Sequence, residues 1–473
     1  MNRIIGREQE LNMLQEYTGS GKGEFIALFG RRRVGKTSLI RYFFQDKFDF
    51  FATGILDGNK KDQEDVFYDA LKQSGYSGTK PQNWKEAFDA LGTILERKKR
   101  KKRCVVFIDE LPCFDTEHSG FVKHFGDFWN RKASWYDNLV LIVCGSATSW
   151  MIHNIIDNKG GLHNRITHEM HLRPFNLYQT EQYLSFRGGK WDRLSILQLY
   201  MALGGIPYYY SLLNIHKSAS ENIDALFFEH DAPLRNEYHR LFKSLYRNPD
   251  RYLDIVEMLA KNKQGLSRNE IAEKLGIKSG RSLTLWLENL IQCDLVSLSS
   301  NSGKKNSGIY RLTDFYCHFY LTFCNGTISD KSYWKHTINT PMQNTWYGLA
   351  FERVCLFHIE EIIQALHLDS ILTYYYSWRS RKTSPGAQID LIIDRADGIV
   401  TLCEMKYSRG DYKQDADESR QLANRISDFM EETKIRKAVQ TTLITTYGLQ
   451  KNLHADDYQR ILTLNDLFII TDK

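Results

Sequence analysis

Paired cysteines, prolines and long apolar runs are all scarce in this chain. Its 8 Cys are scattered, and no two stand in a C-x-x-C pair. That argues against a zinc ribbon or a disulfide framework and fits free thiols in a reducing cytoplasm. Only 8 Pro occur and no Ser/Pro-rich tract is present, so long disordered linkers are not expected. No apolar run reaches about 18 residues, so neither a membrane span nor a membrane partner is expected. The opening Met1–Glu10 is too charged for a signal peptide, and no internal repeat is visible. What remains is a globular composition, 42% hydrophobic and 25% charged. At 473 residues it exceeds one ordinary core, and about three or four domains are expected. A net charge of +6 is mild and does not by itself imply nucleic acid.

The most informative stretch is Phe25–Ile40. An apolar strand runs into Gly30-Arg-Arg-Arg-Val-Gly-Lys-Thr37 and then an apolar helix. This fits G-x-x-x-x-G-K-[ST], a loop that wraps a polyphosphate in backbone N–H groups. The two glycines permit the wrap, and the helix turns its positive end toward the anion. Lys36 neutralises the outer phosphates and the Thr37 hydroxyl can ligate Mg2+. Gly30, Arg31, Arg32, Arg33, Val34, Gly35, Lys36, Thr37 and Ser38 are therefore the candidate nucleotide-binding residues, with ATP and Mg2+ the expected cofactors. A second signature follows in Cys104-Val-Val-Phe-Ile-Asp-Glu-Leu111, a buried strand ending in two acids. Asp109 is expected to meet Mg2+, and Glu110 to polarise the water that attacks the γ-phosphate.

Other segments leave alternatives open. The helix from Ile5 is either a packing helix or, through its Gly-Arg-Glu turn, a base-contacting one. Arg97–Arg103 is an unbroken run of seven cations, read as a solvated face or a nucleic-acid contact. The strand Leu139–Gly145 leads into Ser146 and Thr148, either of which can sense a γ-phosphate or simply cap and pack. Arg165 closes the polar loop from Gly160. It is a candidate to reach a γ-phosphate, its own or a neighbour's, and equally an ordinary surface residue.

Gly6-Arg-Glu8, the phosphate loop, Phe107-Ile-Asp-Glu110, Gly145-Ser146, Leu162-His-Asn-Arg165 and Leu203-Gly-Gly-Ile-Pro207 together resemble the archaeal and bacterial AAA+-related ATPases grouped with the STAND signalling ATPases. The resemblance covers about residues 1–245. It implies a P-loop ATPase core over 1–172 and a helical lid over 173–245, with Pro207 facing the base. Asn164 stands where that family usually has Gly before the arginine, which bears on Arg165.

From Arg251 the pattern changes to helix, capped short helix, helix and hairpin. Ser267 is the expected cap, with Glu270 completing a capping box. This order predicts a winged helix-turn-helix over 246–325, with Arg281 and the Lys304–Lys305 hairpin tip as cations. Such a module either holds DNA or relays nucleotide state. Beyond a polar connection at 326–340, the order of elements is α-β-β-β-α-β over 335–473, that of a restriction-endonuclease-like core. Asp390 begins one strand. Glu404 and Lys406, two apart on the next, share a face. A hairpin at Asp397-Gly398 can set Asp390 beside Glu404, where Mg2+ would relieve their repulsion. Lys406 can orient the water that attacks a phosphodiester, and Glu352 is a further acid. Gly386-Ala-Gln-Ile-Asp390 and Cys403-Glu-Met-Lys406 resemble the PD-(D/E)xK nuclease superfamily, in the DUF234-type domain that often follows these ATPases. Ala387 and Gln388 stand where relatives often carry acids.

The expectation is a multidomain α/β protein of the cytoplasm, an ATPase controlling an Mg2+-dependent DNA nuclease. DNA is the expected partner, with a protein partner or self-association through the ATPase domain. The alternative is an ATP-dependent switch or DNA-binding regulator whose last domain only binds.

Overall fold

The computed structural model describes residues 3–300, 308–326, 330–380 and 387–470. Internal contacts divide the chain into two units. The first comprises Met1–Pro174, Ile206–Tyr208 and His239–Pro249; the second comprises Phe175–Gly205, Tyr209–Tyr238 and Asp250–Lys473. The stretch expected as one helical lid, 173–245, is thus shared between them.

The first unit is built on five strands: β1 (Glu24–Phe29), β2 (Phe50–Thr53), β3 (Cys104–Asp109), β4 (Leu139–Gly145) and β5 (His168–His171). They pair in the order β2-β3-β4-β1-β5, all parallel. β1, β3 and β4 are buried along their whole length, as their apolar runs require of central parallel strands. Because the strands share a direction, their C-terminal ends, with Gly30, Asp109 and Ser146 at or just beyond them, lie along one edge of the sheet. Ligands of open α/β sheets bind at that edge. Beneath it, Phe67, Trp84, Phe88, Phe114, Phe121 and Phe125 pack edge-on and stacked, with Trp84 and Phe121 rings 4.8 Å apart.

The run Arg97–Arg103 is largely committed within this unit. Lys98 and Lys101 pair with buried Asp49, Lys99 with Glu96, and Arg97 donates to the Gly75 carbonyl. Arg103 donates to the carbonyls of Thr18 and Lys22 at the end of the helix Glu8–Gly19. The run is a largely solvated face, as one of the two readings expected, and several of its cations also tie elements together.

In the second unit, helices Asp250–Lys261, Arg268–Lys274 and Arg281–Gln292 accompany a small sheet of β6 (Leu266–Ser267), β7 (Val296–Ser300) and β8 (Gly308–Leu312), ordered β6-β8-β7. Ser267 caps the middle helix, and Glu270 returns a bond to the Ser267 N–H at 2.7 Å. The Lys304–Lys305 tip and Gly386 lie outside the described residues.

A second five-stranded sheet holds β9 (Thr373–Arg379), β10 (Gln388–Arg395), β11 (Ile399–Lys406), β12 (Ala438–Thr445) and β13 (Arg460–Leu462). Its order is β13-β12-β11-β10-β9. β9, β10 and β11 pair antiparallel, whereas β12 and β13 join in parallel. The helix Ala416–Thr433 lies between β11 and β12 in the chain and buries Leu422 and Phe429. Some features go beyond the sequence expectation, among them β2, β5, the helices Phe315–Phe323 and Ile359–Ala365, and two near the C-terminal sheet. β13 is too short to show a period, and the polar connection before Pro341 contains a helical turn, Tyr333–His336, anchored by fully buried Trp334.

Candidate functional site

Two clusters of chemical groups emerge, one in each unit. In the first, the turn after β1 places Gly30 at φ +144°, where a Cβ would meet the Leu172 carbonyl oxygen at 2.3 Å. Only glycine fits that approach. Gly35 adopts φ +98° and opens the helix Lys36–Phe44. The Lys36 ammonium is buried and donates to the Gly30 and Arg31 carbonyls at 2.8 and 3.0 Å. The Thr37 hydroxyl donates to Asp109 Oδ2 at 2.8 Å, which joins the two nucleotide signatures. These hard oxygen donors fit Mg2+ held with phosphate and water. Burial pushes the Asp109 carboxyl up, opposed by hydrogen bonds from Cys144 and Thr37. A bound cation would relieve the cost of keeping that carboxylate charged.

Glu110 follows at φ +46°, a left-handed conformation uncommon for a residue with a side chain. Its Oε2 accepts from the Ser146 N–H at 3.0 Å and the Ser146 hydroxyl at 2.8 Å. Ser146, read as a phosphate sensor or a packing residue, therefore holds the acid at the neighbouring strand end. Thr148 is fully buried and its hydroxyl has no partner among the described residues. Arg31 is buried, Arg32 half-buried and Ser38 exposed on the first helical turn. Arg165 is exposed before β5 with no side-chain partner among the described residues. Pro207 opens the short helix Pro207–Ser211.

Two further residues support the loop, Arg7 from the Gly-Arg-Glu turn and Tyr208, which carried no sequence signal. Arg7 is 4% exposed and donates to the Val34 carbonyl at 3.1 Å, the Arg173 carbonyl at 2.9 Å and Glu10 at 2.9 Å. It braces the phosphate loop through the Val34 carbonyl. Burial pulls its pKa down and Glu10 opposes that pull. Tyr208, beside Pro207, lies under the Arg33 guanidinium at 4.3 Å from the ring centre.

In the second unit, β10 and β11 pair through Leu391↔Cys403. The paired register ends there; carried one position further it would set Asp390 opposite Glu404, and both acids act on Glu352. Like charges opposite one another are destabilising unless compensated. Asp390 accepts a hydrogen bond from the Gln388 amide and lies 3.9 Å from Arg311. Glu404 pairs with Lys406 at 3.2 Å and Arg425 at 3.1 Å. Glu352, on the helix Pro341–Phe357, is pushed up to about 7 by burial and then by Asp390 and Glu404. The acids named in the sequence thus share one electrostatic neighbourhood. Arg311 and Arg425 lie far from them in the chain and were missed. Among the described residues, no three His, Cys, Asp or Glu side chains gather closely enough to hold a metal. The two carboxylates fit a cation that keeps water and substrate oxygens, as Mg2+ does.

Residues 4–213 match the model of a family described as an ATPase domain predominantly from Archaea. An uncharacterized protein of Methanocaldococcus jannaschii is 25% identical over 399 residues, 82% of this chain and 84% of that protein. An uncharacterized ATP-binding protein of the same organism is 44% identical over 44 residues, 9% of this chain and 75% of its own length. Among solved structures, a Walker-type ATPase of Pyrococcus abyssi aligns with 20% identity and a TM-score of 0.47, covering 67% of this chain and 96% of that one. The ORC2 protein of Aeropyrum pernix aligns with 15% identity and a TM-score of 0.42, covering 73% and 96%. The likeness to this ATPase family lies in the N-terminal part of the chain, residues 4–213. Among the described residues, no helix is long and apolar enough to cross a membrane.

Proposed function

We propose that the chain couples ATP binding and hydrolysis to Mg2+-dependent cleavage of DNA. The ATPase part rests on the family match and on the junction of Thr37 with Asp109. The proposed division is an ATPase core over 1–172, a lid over 173–245, a winged helix over 246–325 and a PD-(D/E)xK-like domain over 335–473. In the ATPase, Gly30–Ser38 would cradle the phosphates and Thr37 and Asp109 would hold Mg2+, which when bound neutralises phosphate charge. Lys36 would exchange its two loop carbonyls for phosphate oxygens. With Glu110 Oε2 held by Ser146, Oε1 is the atom that would take the proton of the attacking water. Arg165 and Pro207 remain candidates for nucleotide contact.

The nuclease reading rests on one observation, the pairing register that, carried one position further, would set Asp390 opposite Glu404 with Lys406 on the same face. Asp390 and Glu404 would hold Mg2+, and Lys406, 3.2 Å from Glu404, would orient the hydrolytic water. A second reading is favoured by a different observation: protein cations already accompany both acids. In that reading the last domain binds without cutting, and the protein is an ATP-dependent switch or DNA-binding regulator.

A cleavage assay on DNA and RNA forms, with Mg2+ and with or without ATP, separates the two. Wild type should cut DNA, Asp390→Ala should not, and Lys36→Ala should lose ATP hydrolysis and nucleotide control. DNA binding without cleavage under any condition would establish the regulator reading. Cleavage by Asp390→Ala at the wild-type rate would refute the assigned site.

A further inference from the structure

Arg311 lies on β8, outside the sheet that carries the acids. Its guanidinium is largely withdrawn from water, with a side-chain exposure of 15%. One nitrogen faces the hydroxyls of Ser299 and Ser377 at 3.2 and 3.3 Å. The other faces Asp390 Oδ1 at 3.9 Å, an ion pair too long to be a hydrogen bond. A buried cation is costly unless anions compensate it. The anions that act on this one are Asp390 and Glu352, both members of the carboxylate cluster. Glu404 is meanwhile compensated by Lys406 and Arg425, and Glu352 lies beside Arg353. Among the described residues, Arg311 is therefore the cation directed at Asp390, whose other partner there is a neutral amide.

We propose that Arg311 is a further positioning residue of the C-terminal site: a resident counter-cation on Asp390 that a divalent metal must oppose, so that β8 sets the metal concentration at which the site loads. This rests on the reading of Asp390 and Glu404 as metal ligands. The two serine hydroxyls fix the guanidinium in place, so it cannot simply swing into solvent when a second cation arrives. Two cations sharing one carboxylate at such distances repel each other, and metal affinity falls accordingly.

The test is isothermal titration of Mn2+ into nucleotide-free full-length protein. Every sample carries Asp109→Asn and Glu110→Gln, so that the nucleotide site of the first unit contributes no carboxylate. Glu404→Gln should abolish the isotherm. Arg311→Gln should tighten it about tenfold by removing a unit charge from the metal's neighbourhood. Arg311→Lys, which keeps the charge, should stay close to wild type. Arg311→Met, which keeps the buried stem, replaces the Gln variant if that variant loses its cooperative thermal transition. An Arg311→Gln or Arg311→Met protein that binds Mn2+ as wild type does, or more weakly, overturns the proposal while leaving the metal-site reading intact. Absence of binding in every protein, Arg311→Gln included, overturns the metal-site reading itself and the proposal with it.

Discussion

Arg7→Ala should damage both the stability of the first unit and its grip on nucleotide. The guanidinium donates to two backbone carbonyls and to Glu10, and Arg7 is 4% exposed. Its removal strands the Val34 and Arg173 carbonyls, at about 1–3 kcal/mol for each buried acceptor left without a donor. A little solvent entry into the vacated space would offset part of this. A net loss of about 3 kcal/mol follows, which for a unit of this size lowers the melting temperature by roughly 6–12 °C. The functional effect has a direction as well. Val34 is inside the phosphate loop, so a loosened loop must be ordered by nucleotide itself, and the KM for ATP should rise more than kcat falls. Arg7→Lys should rescue poorly, because one guanidinium nitrogen serves both carbonyls while the other holds Glu10, and an ammonium is a single point donor that lacks this second arm. Differential scanning calorimetry and steady-state ATP hydrolysis measure the two arms. An Arg7→Ala protein with wild-type melting temperature and KM would refute the bracing role, and full rescue by Lys would refute the geometric argument for it.

Ser146→Ala should lower kcat for ATP about tenfold or more with little change in nucleotide affinity, because a positioned base contributes about 10²–10⁴-fold and loses part of its support. Equilibrium binding of a non-hydrolysable analogue checks the separation. Gly30→Ala should abolish nucleotide binding, since its Cβ would lie 2.3 Å from the Leu172 oxygen; retained binding by the same assay would count against that close approach. With divalent metal withheld, Glu352 should tilt stability against pH. Its carboxyl titrates near 7 in the fold, above the 4.5 of an unperturbed glutamate. The folded state then holds the proton more tightly, so this contribution is complete below about pH 4.5 and is lost as pH rises through 7. At 1.36 kcal/mol per pH unit the span is at most about 3 kcal/mol. Glu352→Gln should flatten that slope in denaturant titrations, and an unchanged slope would place the titration elsewhere.

The phosphate loop and the acidic end of β3 were legible because polyphosphate chemistry demands particular residue types within a few contiguous positions. β1, β3 and β4 were legible because strands buried on both faces are apolar without interruption. The shared neighbourhood of Asp390 and Glu404 could be anticipated from a tight turn between two strands, since the hairpin fixes the register. The Gly-Arg-Glu turn was noticed, but the partners of Arg7 were not legible, because the Val34 and Arg173 carbonyls are backbone atoms that leave no trace in residue identity. Arg311 and Arg425 escaped because their partners are distant in the chain, and any arginine on a strand or helix reads alike until the tertiary fold is known. Ser146 was noticed for its hydroxyl, but its acceptor was not. Choosing between phosphate and Glu110 needed the left-handed turn at Glu110, which no local pattern announces.

The commitment of the cationic run to internal partners has a consequence for ionic-strength experiments. Of the seven positions, Arg100 and Lys102 are the two without a side-chain partner among the described residues. Each phosphate neutralised on duplex DNA releases about 0.9 of a condensed counterion. The run can therefore add a slope of no more than about −2 to a plot of log affinity against log salt. A polycation read at face value from these seven letters would contribute about −6. The ions bound to nucleic acid, counted as they leave, would thus reveal how many of the positive charges in this segment belong to the fold.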